Sequence, residues 1–138
     1  MNREILTDAV QKHLANICAE QPSSIALRKS PFAAVSASEL ANQVDGYQRS
    51  LKKIPDWLGF SAIYYPEKLN LEQCSSTETG RFKAQLISKD SRLIDLTGGF
   101  GVDSYYFAQQ AQSVTHCELN PELSQIAATL EFYDSPEQ

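Results

Sequence analysis

The chain has 138 residues, 42% apolar and 21% charged, as is typical of a soluble globular protein of one domain or two small ones. No apolar run approaches the ~18 residues of a membrane span, and the first residues lack the layout of a signal peptide. Three widely spaced cysteines favour reduced cytosolic thiols over disulfides or a zinc site. We therefore predict a cytoplasmic protein without a membrane segment or a bound metal.

The net charge of -5 is unevenly distributed along the chain. Residues 1–60 carry +1, whereas residues 61–138 carry -6. An acidic half is poorly suited to gripping a phosphate backbone, and it suits a ligand that carries a positive charge. A contact with nucleic acid would have to come from the first half or from sequence absent here.

Residues 1–60 are predicted to form a helical subdomain. Asn2 can cap a first helix that runs to about Glu20. Pro22 then ends this helix, and a short helical piece follows over residues 24–29. The apolar residues of the first helix recur at helical spacing, so one face should be buried.

Ser36 and Glu39 have the spacing of a capping box, which predicts a second long helix to about Lys53. Its apolar residues recur every three or four positions and form a narrow seam that should pack on the first helix. These seam residues are Leu40, Val44, Tyr47, Leu51 and Ile54.

Arg49, Lys52 and Lys53 form a basic patch near the end of the second helix. The patch fits a solvated face that complements the helix dipole, and it also fits a weak RNA contact. An aromatic-rich connector follows, and it should pack the two halves together rather than stack on bases. Its aromatic and apolar members are Trp57, Phe60, Ile63, Tyr64 and Tyr65.

A second capping box, Ser75 with Glu78, predicts a helix over about residues 76–88 that delivers the chain into a strand. The helix should bury Phe82, Leu86 and Ile87. Its N-terminus should lie near the carboxyl end of that strand, so its polar side chains either line a ligand site or only cap the helix. These side chains are Gln73, Ser75, Ser76 and Thr79. Cys74 has no neighbouring base and is interpreted as structural.

A short, buried apolar strand is predicted from about Arg92, with Ile94 and Leu96 flanking Asp95 at its end, and a glycine-rich turn follows. Glycines permit a sharp turn and close approach of the backbone to a ligand, and a helix starting at Val102 completes a common nucleotide-binding device. A dinucleotide turn needs glycine or alanine where Ser104 stands. A carboxylate at Asp95 would repel a pyrophosphate and attract the ammonium group of S-adenosylmethionine. The turn glycines are Gly98, Gly99 and Gly101.

The next strand should cover about residues 113–117 and carry Glu118 at its tip. A carboxylate there can accept hydrogen bonds from two ribose hydroxyls, in S-adenosylmethionine or in a dinucleotide. Asn120 followed by Pro121 predicts the start of another helix. His116 is interpreted as a strand side chain rather than as a catalytic base.

Two segments together resemble motif I and the following acid of class I S-adenosylmethionine-dependent methyltransferases. They are Asp95-Leu96-Thr97-Gly98-Gly99-Phe100-Gly101 and Cys117-Glu118-Leu119-Asn120-Pro121. With residues 71–76, they are similar to a group of bacterial RNA methyltransferases that have a helical N-terminal segment and a downstream THUMP-like domain. The resemblance implies that Thr97 and Leu119 also contact the cofactor, that RNA is the acceptor, and that the catalytic residues lie elsewhere.

The predicted fold class is α/β, with a helical subdomain (1–60) followed by the first β-α-β-α part of a Rossmann-like methyltransferase sheet (61–138). The sheet is expected to be incomplete, since the chain ends just past the second strand and its helix. We therefore expect an inactive N-terminal part of a longer enzyme, of unknown oligomeric state. The alternatives are a non-enzymatic helical interaction module with a vestigial cofactor loop and a fragment of a dinucleotide-binding oxidoreductase.

Overall fold

The structure is a computed structural model that describes residues 1–130. Residues 131–138, where the second predicted domain ends, lie outside the described part. In chain order the elements are α1 (Asp8–Ile17), α2 (Pro22–Ala26), α3 (Ala37–Lys53), α4 (Lys68–Gln73), α5 (Thr77–Gln85), β1 (Arg92–Asp95), α6 (Val102–Ala108), β2 (Ser113–His116) and α7 (Pro121–Ala127). Two 3-10 helices occur at Arg3–Leu6 and Pro55–Gly59.

The prediction of a single helix from Asn2 to Glu20 is wrong, because Thr7 interrupts the helical backbone. Asn2 caps only the first 3-10 helix, accepting a hydrogen bond from the Glu4 amide at 3.1 Å. Thr7 has an extended backbone, and its hydroxyl donates to the Glu4 carbonyl at 2.7 Å. Such a side-chain bond offers the backbone an alternative to continued helix. Pro22 opens α2, since its fixed φ suits a first helical position.

The capping box of α3 is confirmed. The Ser36 hydroxyl accepts from the Glu39 amide at 3.2 Å, and the Glu39 carboxylate accepts from the Ser36 amide at 2.7 Å. Leu40 and Val44 are buried in a cluster with residues of α1 and α2, as predicted. Leu51 is 41% exposed, so its place in the seam was wrong. The cluster takes no residue of α3 beyond Val44, and Ile54, the last predicted seam residue, is buried in a different cluster.

Glu39 should make the stability of the helical region depend on pH. The Ser36 backbone amide and then the Asn2 side chain hold the pKa of Glu39 below its usual 4.5. Because the folded-state pKa is lowered, the stabilisation is complete above the unfolded-state pKa and is lost as the pH falls through the folded-state value. We expect Glu39→Gln to lower the free energy of unfolding at about pH 7 and progressively less below about pH 4. Urea unfolding of both chains across this range measures the difference; a difference that grows on acidification would contradict the prediction.

The aromatic connector packs the two halves of the chain together, as predicted. The Trp57 ring lies 5.0 Å from that of Phe100 and 5.7 Å from that of Tyr105, centroid to centroid. The buried Gln43 amide of α3 bonds both backbone groups of Tyr65, at 2.9 and 2.8 Å. A second buried cluster runs from Ile54 to Leu130 and is separate from the cluster of α1–α3. The division into domains at residue 60 stays a prediction.

The capping box expected at Ser75 and Glu78 is wrong by one residue. Ser76 caps α5, accepting from the Thr79 amide at 3.2 Å. Ser75 instead accepts a hydrogen bond from Lys83 at 2.9 Å. The cap thus lies one residue later than predicted, although Ser75 and not Ser76 has a glutamate three positions on.

The buried face of α5 also differs from the expectation. Phe82 and Leu86 are 63% and 74% exposed, and the buried side of the helix carries Thr77, Gly80 and Ala84. A side chain at Gly80 would overlap the ring of Tyr106, so the small residues let α5 pack closely on α6. The Tyr106 hydroxyl donates to the Asp56 carboxylate at 2.8 Å and lies 3.0 Å from the Thr77 hydroxyl. The buried face of α5 therefore consists of small residues in close contact with α6, and the large apolar side chains of the helix are exposed.

The sheet contains β1 and β2, which are parallel with Arg92 opposite Ser113 and Asp95 opposite His116. The strand bounds, the helix after each strand and the Asn120 cap of α7 are confirmed. Ile94 and Leu96, expected in a buried strand, are 62% and 73% exposed. Successive side chains of a strand point to opposite faces, and within residues 1–130 the sheet is covered on one face, where α6 contacts both strands.

Within residues 1–130, no helix combines the length and apolar character needed to cross a membrane. The same residues contain no cluster of three or more His, Cys, Asp or Glu side chains able to hold a metal ion.

Candidate functional site

The glycine turn joins β1 to α6 and continues the pairing between the strands. Gly98 donates to the Cys117 carbonyl at 2.9 Å, and Gly101 donates back to the Gly98 carbonyl at 2.8 Å. Gly99 and Gly101 have φ values of 52° and 98°, which residues other than glycine rarely adopt. The sequence therefore folds here into a tight, backbone-bonded turn.

The ring of His116 packs beneath the turn. A Cβ atom at Gly98 would overlap this ring, and Nε2 of His116 lies 3.2 Å from the Gly99 carbonyl. A Cβ atom at Gly99 would meet nothing nearer than 3.9 Å. Gly98 is thus required by a contact with the strand, whereas Gly99 keeps a side of the turn open.

The Asp95 carboxylate is bonded within the turn. It accepts from the Thr97 amide at 3.2 Å and from the buried Ser104 hydroxyl at 2.7 Å. Both partners belong to the turn or to the helix after it, so Asp95 stabilises the turn's conformation. Ser104, which departs from the dinucleotide pattern, supplies the stronger of these contacts.

Glu118 bridges the turn and the start of α7. One carboxylate oxygen accepts from the Gly99 amide at 2.9 Å and the other from the Asn120 amide at 2.8 Å. The tip of β2 is thereby held against the glycine turn of β1. A carboxylate held by two amides is positioned before any ligand arrives.

A polar cleft of about 440 Å³ lies beside the turn. Six of the predicted site residues line it, namely Gln73, Ser75, Thr97, Gly98, Gly99 and Glu118. Four others do not, namely Asp95, Gly101, Leu119 and Thr79. Leu119 is 97% exposed, and Thr79 is engaged with the Ser76 cap. Whether any of the ten binds a cofactor stays a prediction.

Two charged residues of the cleft were not predicted from the sequence. Lys83 and Asp103 both line it, and their charged groups lie 2.7 Å apart. Asp103 follows the glycine turn by two residues, so its position was available as a signal. Lys83 enters only because α5 packs on α6, a contact that no local pattern indicated.

Cys74 also lines the cleft, but its surroundings do not activate the thiol. Burial, the largest effect, raises the pKa of Cys74. The thiol lies 3.1 Å from the Leu71 carbonyl, to which it donates. A raised pKa disfavours the nucleophilic thiolate, in agreement with a structural role.

The basic patch of Arg49, Lys52 and Lys53 does not line the cleft and is largely engaged within the chain. Arg49 pairs with Asp45 at 2.7 Å and approaches Glu72 at 3.6 Å. Lys53 donates to the Leu71 and Glu72 carbonyls at 2.7 and 2.6 Å, near the end of α4. Two of the three cations therefore serve intramolecular contacts.

No family model matches the chain, and no curated protein matches it significantly. Among solved structures, the chain is similar to a protein from Porphyromonas gingivalis W83 described as a "putative methyltransferase". The two share 30% sequence identity with a TM-score of 0.75 over 91% of this chain. The match covers 31% of the other chain, so this chain spans about a third of that protein's length. The fold of this chain is therefore similar to that of part of this protein.

Proposed function

We propose that this chain forms the S-adenosylmethionine-binding part of a methyltransferase. The observation that carries the proposal is Glu118, held at the tip of β2 against the Gly99 amide and lining the polar cleft beside the glycine turn. The similarity to a methyltransferase-like structure over 91% of the chain supports it. Since the match covers about a third of that structure, the activity of a whole enzyme is part of the proposal.

The cleft fits such a cofactor in size and in charge. Its volume of about 440 Å³ falls within the range of small-molecule sites. Its lining side chains include two carboxylates, Asp103 and Glu118, against one ammonium group, that of Lys83. This balance suits a ligand that carries a sulfonium and opposes a pyrophosphate.

The residues of the cleft would divide the binding between them. Glu118 would accept hydrogen bonds from the ribose hydroxyls, and Gly98 and Gly99 would admit the ligand close to the backbone. Gln73 and Ser75, from the segment before α5, would close the other side of the cleft. The bound cofactor supplies a methyl group activated by the positive charge of its sulfur.

Calorimetric titration of the chain with S-adenosylhomocysteine tests the proposal, with NADH as the competing ligand. We expect saturable binding of S-adenosylhomocysteine with one site per chain and no heat of binding for NADH. Binding of NADH instead would favour the oxidoreductase. Failure of both ligands to bind would favour the non-enzymatic interaction module.

We extend the proposal to RNA as the methyl acceptor and to the cytoplasm as the location, on the family resemblance and the composition. The acidic charge of residues 61–138 argues that RNA is held elsewhere than at this cleft. Lys52, exposed beside two engaged cations, is the residue of the basic patch best placed to meet a phosphate.

A further inference from the structure

Lys83 and Asp103 form a charge pair inside the cleft. Lys83 lies on α5 and donates to the Asp103 carboxylate at 2.7 Å and to the Ser75 hydroxyl at 2.9 Å. Asp103 lies in the first turn of α6, so the pair joins two helices across one side of the cleft. Its side chains are 43% and 26% exposed, and a partly exposed pair of this kind contributes little to stability.

Each partner of this pair retains unused hydrogen-bonding capacity. An ammonium group has three donors, and the bonds to Asp103 and Ser75 use two of the donors of Lys83. The Oδ1 atom of Asp103 is buried and has no hydrogen-bond partner among residues 1–130. The Oδ2 atom, which accepts from Lys83 at 2.7 Å, can accept a second hydrogen bond, as carboxylate oxygens commonly do. A ligand that brings both an acceptor and a donor would complete the pair.

We propose that Lys83 and Asp103 are the specificity-determining residues that bind the α-amino-acid end of the cofactor. Lys83 contacts the carboxylate of the ligand and Asp103 its ammonium group. An α-amino acid carries an ammonium and a carboxylate group on one carbon, so each of its charges can meet the oppositely charged member of the pair. The inference rests on the proposed function and goes beyond it, because it assigns the ammonium to Asp103 and leaves Asp95 to hold the turn.

The geometry of Asp95 supports this assignment. One of its oxygens accepts from the Thr97 amide and the other from the Ser104 hydroxyl, and Asp95 does not line the cleft. Asp103 and Glu118 do line the cleft. A ligand spanning it can therefore meet Glu118 with its ribose and the charge pair with its amino-acid end.

The test compares S-adenosylhomocysteine with 5′-methylthioadenosine, which has the same nucleoside but no amino-acid group. Calorimetry is carried out on the wild-type chain, Lys83→Met and Asp103→Asn. We expect each substitution to weaken S-adenosylhomocysteine binding by roughly tenfold to hundredfold, the worth of a hydrogen bond to a charged group. The affinity for 5′-methylthioadenosine should change by less than about twofold, because that ligand does not reach the pair.

Arg81→Met is the matched control, since Arg81 is a cation of the same helix that pairs with Asp56 outside the cleft. It should leave both affinities unchanged. A loss of affinity for both ligands in the Lys83 and Asp103 variants would assign the pair a structural role and overturn the inference. Equal wild-type affinities for the two ligands would also overturn it, without needing any variant, and would leave the proposed function standing. Failure of the wild-type chain to bind either ligand would overturn the proposed function itself.

Discussion

Substitution of Glu118 by glutamine is expected to weaken the binding of S-adenosylhomocysteine by about tenfold to hundredfold. The carboxylate accepts from the Gly99 and Asn120 amides, and it would accept from the ribose as well. Glutamine has nearly the same shape but presents one amide NH₂ group where an oxygen is needed. One backbone donor or one ribose hydroxyl then loses its acceptor, and the negative charge is removed.

The same substitution should also lower the free energy of unfolding, by about 1–2 kcal/mol, because Glu118 holds the turn to the start of α7. Calorimetry well below the unfolding transition separates the two effects. Glu78→Gln is the matched control, since Glu78 is an exposed carboxylate in the first turn of α5 that does not line the cleft. An unchanged affinity in Glu118→Gln would remove the ribose contact from the proposal.

Substitution of Gly98 by alanine is expected to destabilise the chain by about 1–3 kcal/mol, the usual cost of overpacking. The added Cβ atom would overlap the ring of His116, which lies against the turn. Chemical denaturation with circular dichroism measures the effect. Gly59→Ala is the control, because a Cβ atom there would contact nothing within 4 Å.

A double-mutant cycle shows whether His116 is the cause. In a His116→Ala background the ring is absent, so Gly98→Ala should cost markedly less than in the wild-type chain. The difference between the two costs is the coupling energy of the pair. Equal destabilisation in both backgrounds would show that the imidazole is not what requires glycine at this position.

Features encoded by neighbouring residues were predictable from the sequence. The capping box of Ser36, the strand before Asp95 and the Asn120 cap depend on side chains within a few positions of the backbone they bond. The position of Glu118 just after the second strand was also predicted from the sequence. Its bond to the Gly99 amide was not foreseen.

The face with which α5 packs on α6 was not predictable from the local sequence. Phe82 and Leu86 suggested a buried face by their character alone, whereas α5 packs on α6 through Gly80 and its small neighbours. The same packing brings Lys83 of α5 to Asp103 of α6. One helix contact therefore accounts for the misassigned face of α5 and for the cation of the cleft that was not predicted.

The two-stranded sheet has a consequence for the behaviour of this chain at high concentration. Within residues 1–130, β1 and β2 pair only with each other, so each strand has an outer edge of backbone donors and acceptors without a neighbouring strand. Beside one of these edges lie the exposed side chains of Ile94 and Leu96. An open, apolar strand edge is a template for strand addition by another chain. Charged residues at these two positions, neither of which lines the cleft, would hinder such intermolecular pairing.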